Sequence, residues 1–159
     1  MYNRSQLVLY SQAAAQVTSG TWSYILPGQP NADGQTLSVS VYGVDAAGNR
    51  TSPVGISYRI DVTPPTLMVN PVAAEVPLSE ASQALLSGQV MDGSGQFEVY
   101  LKVIGANGVP HRGMAALAGN DWTYVPPLGE PGVYTVWVQA RDAAGNETIL
   151  GPYSITVTD

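Results

Sequence analysis

Two aspartates with the same neighbours are the side chains of this chain whose type and spacing best suit a defined chemistry. The sequence Asp-Ala-Ala-Gly-Asn occupies residues 45–49 and returns 97 residues later at 142–146. In a tight turn an aspartate carboxylate accepts backbone N–H groups, and a glycine adopts the positive φ that closes the turn. Because alternating apolar residues flank both copies, each copy is predicted to be the turn of a β-hairpin. The predicted turn residues are Asp45, Gly48, Asn49, Asp142, Gly145 and Asn146.

Most catalytic and metal-binding constellations are missing from the sequence. His111 is the only histidine and there is no cysteine, so a common zinc site cannot be built. A Ser-His-Asp triad would need His111, in a stretch with no nucleophile elbow, and no glycine-rich phosphate loop occurs. We therefore expect that the chain is not an enzyme, and we predict that His111 is a solvated loop residue.

The composition points to an all-β fold. Only 11% of the 159 residues are charged, while glycine and proline number 17 and 12. Surface helices usually carry many charged residues, so this balance favours strands and turns. A net charge of −6 without a basic run makes nucleic acid an unfavourable partner. No run of 18 apolar residues occurs, so no membrane span is predicted.

Apolar alternation divides the chain into two related units. Residues 37–44 and 56–60 alternate around the first turn, and residues 134–140 and 153–157 alternate around the second. The Asp-Val-Thr-Pro-Pro-Thr stretch, with the stiff prolines Pro64 and Pro65, predicts a boundary between units 1–62 and 63–159. The second unit shows about seven short strands, which favours two packed antiparallel sheets, and parallel pairing is not expected.

The first unit is predicted to lack the opening strands of the second. Aligned on the turn, it contains counterparts only from about residue 97 onward. Missing strands would leave core and strand edges uncovered. Three explanations stay open: the chain begins inside a domain, the unit is a smaller variant, or a neighbouring chain donates a strand. Residues 6–10 are predicted to be a strand and residues 27–34 a turn.

Four aromatic side chains stand out. Trp22 and Trp122 recur in a Trp-x-Tyr pattern and are predicted core anchors. Tyr134 follows Pro-Gly at the start of a strand, the position of a tyrosine corner in sandwich folds. Trp137 lies between two core valines, so it is predicted to point outward, where it either packs on cross-strand neighbours or contacts a ligand or subunit.

The segments Ser-Gly-Gln-Val (87–90), Asn-Asp-Trp-Thr-Tyr (120–124), Pro-Gly-Val-Tyr (131–134) and Asp-Ala-Ala-Gly-Asn (142–146) together resemble the bacterial immunoglobulin-like repeats of large surface adhesins and secreted multidomain proteins. The resemblance implies tandem immunoglobulin-like β-sandwiches of Greek-key type, located extracellularly or at the bacterial cell surface. It implies a structural spacer whose partners are neighbouring repeats. The alternatives are a filament subunit assembled by strand complementation and a carbohydrate-binding module of a secreted hydrolase, with Trp137 as its platform.

Some repeats of the family that this chain resembles bind Ca²⁺ between domains through loop and linker aspartates. Calcium takes six to eight oxygen ligands, and no run here has the Asp-x-Asp-x-Asp spacing of a self-contained loop. A site would therefore be assembled in space, with Asp61 sharing it with loop aspartates such as Asp92. Turn formation remains the alternative explanation for these residues. The candidate calcium ligands are Asp45, Asp61, Asp92 and Asp142.

Overall fold

The computed structural model describes residues 6–7, 14–26 and 32–159. The chain divides into two compact units, Met1–Val62 and Thr63–Asp159. Residues 8–10 of the predicted first strand and residues 27–31 of the predicted turn lie outside the described residues. The described 3₁₀ helix is too short to cross a membrane, and no longer helix occurs in the described ranges.

The described part of the first unit contains one sheet and one separate hairpin. The sheet has the order β1-β4-β5, with β1 parallel to β4 and β4 antiparallel to β5. The hairpin joins β2 and β3. Their bounds are β1 Gln6–Leu7, β2 Gln16–Thr18, β3 Thr21–Ser23, β4 Thr36–Val41 and β5 Val54–Arg59.

The second unit, which is described throughout, has nine strands and one short 3₁₀ helix at Leu78–Gln83. The strands are β6 Thr66–Val69, β7 Glu75–Pro77, β8 Leu86–Met91, β9 Phe97–Ile104, β10 Pro110–Met114, β11 Ala116–Ala118, β12 Asp121–Tyr124, β13 Gly132–Asp142 and β14 Glu147–Thr158.

These strands form two sheets around one core. One sheet has five strands in the order β10-β9-β13-β14-β7, and the other has four in the order β11-β12-β8-β6. Alternate residues of β9 and β13 are buried, as the period of two requires when one face of a sheet is covered. The four-stranded sheet contributes Leu67, Leu86, Val90 and Trp122 to the same core. The all-β prediction is therefore confirmed.

Three strand predictions for the second unit were wrong. The unit has nine strands rather than about seven, and β7 is only three residues long, too short to show a period. His111 was predicted to lie in a loop but belongs to β10, where it pairs with Val103 of β9. Finally, β7 pairs with β14 in parallel. Two parallel strands need a long connection between them. Here residues 78–146, which form most of the unit, connect β7 to β14, so no crossover helix is required.

Candidate functional site

The Asp45 turn is held by its own carboxylate. Asp45 Oδ1 accepts the N–H groups of Ala47 at 2.9 Å and Asn49 at 2.8 Å, and Oδ2 accepts the Asn49 side-chain amide at 2.8 Å. Gly48 has a φ of 90° and donates its N–H to the Asp45 carbonyl at 3.0 Å. A residue with a Cβ rarely adopts that φ, so glycine is the residue that suits this position.

The Asp142 turn repeats this arrangement almost bond for bond. Asp142 Oδ1 accepts the Asn146 N–H and Oδ2 accepts the Asn146 side-chain amide, both at 2.8 Å. Gly145 has a φ of 94° and donates to the Asp142 carbonyl at 3.2 Å. The difference lies in burial: Asp142 is only 5% exposed and is the one buried charged residue of the described chain, whereas Asp45 is exposed.

Both turns favour the ionised carboxylate. Hydrogen bonds from the Asn49 side-chain amide, and then from the Asn49 N–H, hold the pKa of Asp45 below its ordinary value. Burial raises the pKa of Asp142, but the hydrogen bonds from Asn146, Gly145 and Ala144 outweigh it, so that pKa also lies below its ordinary value. Each turn therefore contributes more stability with its aspartate ionised than protonated.

Of the candidate calcium ligands, the second unit brings two together. A carboxylate oxygen of Asp92 lies within 4.8 Å of one of Asp142. Asp92 Oδ2 already accepts the Ser94 N–H at 2.7 Å and the Ser94 hydroxyl, and both Asp142 oxygens hold Asn146 donors. Each carboxylate has about four lone pairs, so these bonds form the turns and still leave acceptor capacity on both residues. The turn interpretation therefore accounts for the observed bonds, and a calcium ion at Asp92 and Asp142 stays a prediction.

The other two candidate ligands belong to the first unit. Asp45 lies in the exposed turn described above. Asp61 is the second-last residue of the first unit, which ends at Val62. The residue before it, Ile60, donates its N–H to the Gln35 carbonyl at 2.8 Å. A calcium ion shared by Asp61 and the loop aspartates stays a prediction.

Trp137 lies on the outer face of the five-stranded sheet and has a cross-strand partner. Lys102, directly opposite on β9, places its Nζ 5.0 Å from the centre of the indole ring. This cation–π contact contributes about 0.5–1 kcal/mol at an exposed site. It also covers one face of the ring that a sugar would need. The sequence alone could not reveal Lys102 as the partner, because the strand register is set by tertiary pairing.

Tyr134 ties the start of β13 to the loop before it. Its hydroxyl donates to the Glu130 carbonyl at 2.9 Å and accepts the Glu130 N–H at 3.1 Å. Its ring lies in the core with 6% exposure. Leu37 occupies the corresponding position of the first unit and has no hydroxyl for such a bond.

The two tryptophans of the Trp-x-Tyr pattern have different surroundings. Trp122 is 0% exposed, and its indole N–H donates to the Met68 carbonyl at 3.1 Å. Trp22 is 46% exposed, so the prediction that it is a core anchor was wrong. Trp22 lies in a two-stranded hairpin, whereas Trp122 lies on a four-stranded sheet that faces a second sheet.

A groove of about 650 Å³ opens at one end of the second unit. It is bordered by the 3₁₀ helix, the loop after β9 and the loop before β13. His111 lies at its edge on β10 and is exposed, as a solvated residue would be, although on a strand rather than a loop. Ser82 and Glu130 line the same groove.

The second strand of the second unit, β7, lies beside the last strand, β14. β7 runs parallel to β14, with Glu75, Val76 and Pro77 opposite residues 156–158. The Thr156 N–H donates to the Ala74 carbonyl at 2.8 Å. The Thr148 hydroxyl donates to the Pro65 carbonyl at 2.6 Å, so β14 also contacts the segment that precedes β6. The amino-acid sequence did not predict strand β7, because three residues that end in proline are too few to show an alternating pattern.

Comparison with known proteins identifies no family for this chain. No protein-family model matches it, and no curated protein matches it either.

Proposed function

We propose that the chain is a non-enzymatic structural segment of a bacterial surface or secreted protein, built from immunoglobulin-like sandwiches and suited to carry tension along the polypeptide. The observation that carries this proposal is the parallel pairing of β7 with β14. The proposed location, a bacterial surface or secreted protein, comes from the resemblance of the sequence motifs to bacterial immunoglobulin-like repeats.

The strand order of the second unit supports an immunoglobulin-like arrangement. Immunoglobulin sandwiches place strands A, B, E and D in one sheet and C, F and G in the other. With β6, β8, β12 and β11 as A, B, E and D, the four-stranded sheet has that order. With β9, β13 and β14 as C, F and G, the five-stranded sheet contains the order C, F, G. It also has one further strand at each edge, β10 beside C and β7 beside G.

The repeat supports a tandem array of one kind of unit. In the first unit Leu37 pairs with Tyr58 and Val39 with Ile56. Exactly 97 positions later Tyr134 pairs with Ile155 and Val136 with Tyr153. Two hairpins that share turn chemistry and register are what a duplicated spacer module would contain.

The parallel pair β7–β14 suits a tension-bearing role because of the direction in which force reaches the two strands. Tension arriving from the N-terminal side reaches β6 first and, once β6 has separated from β8, pulls β7 toward its start. Tension from the C-terminal side pulls β14 toward its end. Because the two strands point the same way, these forces slide them along each other. The ladder bonds then share the load, whereas a hairpin pulled at its open end loses its bonds one at a time.

Single-molecule pulling on the whole chain, held by handles at both ends, tests this proposal. The second unit should unfold in one step that releases about 30–35 nm, since an extended chain spans roughly 3.3–3.6 Å per residue. Thr156→Pro removes the N–H that bonds Ala74 and should lower the unfolding force. Leu117→Pro, in edge strand β11, is the control.

Urea denaturation measures how much equilibrium stability each of the two variants loses. The unfolding forces of Thr156→Pro and Leu117→Pro are then compared after correction for that loss. The proposal predicts that Thr156→Pro lowers the unfolding force more than Leu117→Pro does. Equal losses of force, or gradual unfolding of the wild-type unit without a force peak, would refute a tension-bearing role.

A further inference from the structure

The positive charge of the second unit lies on one face of one sheet. The unit contains nine aspartates and glutamates but only three lysines and arginines, namely Lys102, Arg112 and Arg141. Arg112 on β10 pairs with Lys102 on β9, and Lys102 pairs with Trp137 on β13. Residues directly opposite each other share a face, so Arg112 and Lys102 lie on the outer face with Trp137. Arg141 is four positions after Trp137 on the same strand and shares that face as well, because side chains alternate.

Arg112, Lys102 and Trp137, which we name the cationic row, occupy three neighbouring strands. Strands of a sheet are about 4.8 Å apart, so the row extends about 10 Å across the sheet. Arg112 is exposed, and Lys102 and Trp137 are half-buried. The indole ring of Trp137 holds the Lys102 Nζ 5.0 Å from its centre. A lysine ammonium has three N–H donors, so this contact leaves donors for a further partner.

The two cations of the row form an unfavourable pair. Like charges directly opposite each other destabilise a sheet, and Arg112 lies directly opposite Lys102. Neither of them has a hydrogen bond or an ion pair in the part of the chain that the structure describes. Arg141, on the same face, differs: it pairs with Glu147 at 3.7 Å and lies opposite Glu98. The face thus contains one neutralised cation and two adjacent cations without a counter-ion.

Protection of the sheet edge accounts for only one of these two charges. A charged residue on an edge strand discourages pairing with other chains, and β10, with Arg112, is an edge strand. Lys102 is on β9, which lies between β10 and β13 and has no free edge. A glutamate at either position would protect the edge equally well and would form a favourable cross-strand pair. Two adjacent cations instead suit the binding of an anion.

We propose that the cationic row binds an acidic polysaccharide, with the uronate carboxylates held by Arg112 and Lys102. A guanidinium can bind a carboxylate through two parallel hydrogen bonds. Thr135 and Gln139 flank Trp137 on the same face, both half-buried, and offer a hydroxyl and an amide to sugar hydroxyls. The proposal does not depend on the tension-bearing role.

The outer face of this sheet suits a polysaccharide better than an acidic peptide. Peptides gain affinity from backbone hydrogen bonds at a free strand edge or from pockets for their side chains. Strands β9 and β13 are paired on both sides, so their backbone groups bond within the sheet. A polysaccharide can instead bind to side-chain donors alone. Because Lys102 covers one face of the indole ring, charge rather than stacking of a neutral sugar carries the binding.

Isothermal titration calorimetry of the full chain with three uronate polymers tests the proposal. The polymers are polygalacturonate, alginate and hyaluronate, and the buffer contains EDTA, because calcium could otherwise bridge a polymer to the aspartates of the chain. At least one polymer should bind, and its binding should weaken as salt concentration rises, since salt screens exposed charges. The methyl-esterified form of that polymer keeps the sugar rings but lacks the charge, so it should not bind.

Three variants with the same change of charge locate the site. Arg112→Gln and Lys102→Gln should each weaken binding about tenfold or more, since each removes a charge-assisted hydrogen bond. Arg141→Gln is the matched control: it removes a cation from the same face, but one that Glu147 already neutralises, and should leave the affinity unchanged. Urea denaturation checks the fold. Arg112→Gln should not lower stability, because it removes repulsion between like charges.

Failure of all three polymers to bind would overturn the proposal. So would an Arg112→Gln variant that binds as the wild type does, an equal loss of affinity in Arg141→Gln, or equal binding of the esterified polymer. Equally tight binding of poly-glutamate would assign the row to acidic peptides and overturn the polysaccharide assignment.

Discussion

The hairpins β4–β5 and β13–β14 have the same turn and equivalent outer residue pairs, yet different surroundings. Asp45 and Asp142 bind their asparagines through matching bonds of 2.8 Å. Tyr58 nevertheless is 49% exposed, while Ile155, 97 positions later, is 2% exposed. A hairpin can therefore be specified by its own residues, whereas the burial of its returning strand depends on the elements around it. Ile155 of β14 shares a core with Leu67, Val90 and Trp122 of the four-stranded sheet.

The largest difference between the two units is expected at the tryptophans. Trp122→Ala should lower the free energy of unfolding of the second unit by about 3–5 kcal/mol, because it empties a fully buried site. Trp22→Ala should cost the first unit less, since Trp22 is 46% exposed. Urea denaturation followed by circular dichroism measures both changes. Equal losses would contradict the different burial of the two residues.

The next largest difference is expected at two strand glycines. A Cβ at Gly88 would lie 1.9 Å from the Met68 carbonyl oxygen and 2.8 Å from the Trp122 ring, so β6 and β12 would have to move. We expect Gly88→Ala to cost about 3 kcal/mol in the free energy of unfolding. Gly55 on β5 has no atom within 4 Å of such a Cβ, so Gly55→Ala should have little effect. If Gly88→Ala had little effect on stability, strands β6 and β12 would be packed less tightly against Gly88 than these distances indicate.

The smallest of the three differences concerns the turn aspartates. Asp142→Ala leaves the half-buried Asn146 donors without their acceptor and should cost about 1–3 kcal/mol in the free energy of unfolding. Asp45→Ala should cost less, because water can replace the acceptor at the exposed turn. Urea titrations of both variants at neutral pH make the comparison.

The same pair provides a pH test. A carboxyl whose pKa is lower in the folded state stabilises the fold above its unfolded pKa, and that stability is lost as pH falls through the folded pKa. The pKa of Asp142 is lowered, so the stability of the second unit should decline as pH drops below about 4. Asp142→Asn should flatten this decline. An unchanged acid limb in the variant would show that other carboxyls control it.

Much of the fold follows from local patterns. Alternation over residues 37–41 and 134–140 predicts β4 and β13, because a strand presents every second side chain to the same face. The turns between the paired strands follow from Asp, Gly and Asn at set spacing. The short strand β7 could not be predicted, since three residues contain too little of any period.

The sequence by itself determined the features whose interactions lie within a few residues. The bonds of Asp142 to Asn146 span four residues, and any chain with that segment can form them. Tertiary structure alone decided that Trp122 is buried and Trp22 is not, that Lys102 covers Trp137, and that β7 lies beside β14. The Trp122 indole meets a carbonyl 54 residues away. Such a contact depends on which sheet covers which, and the same Trp-x-Tyr letters occur in both units.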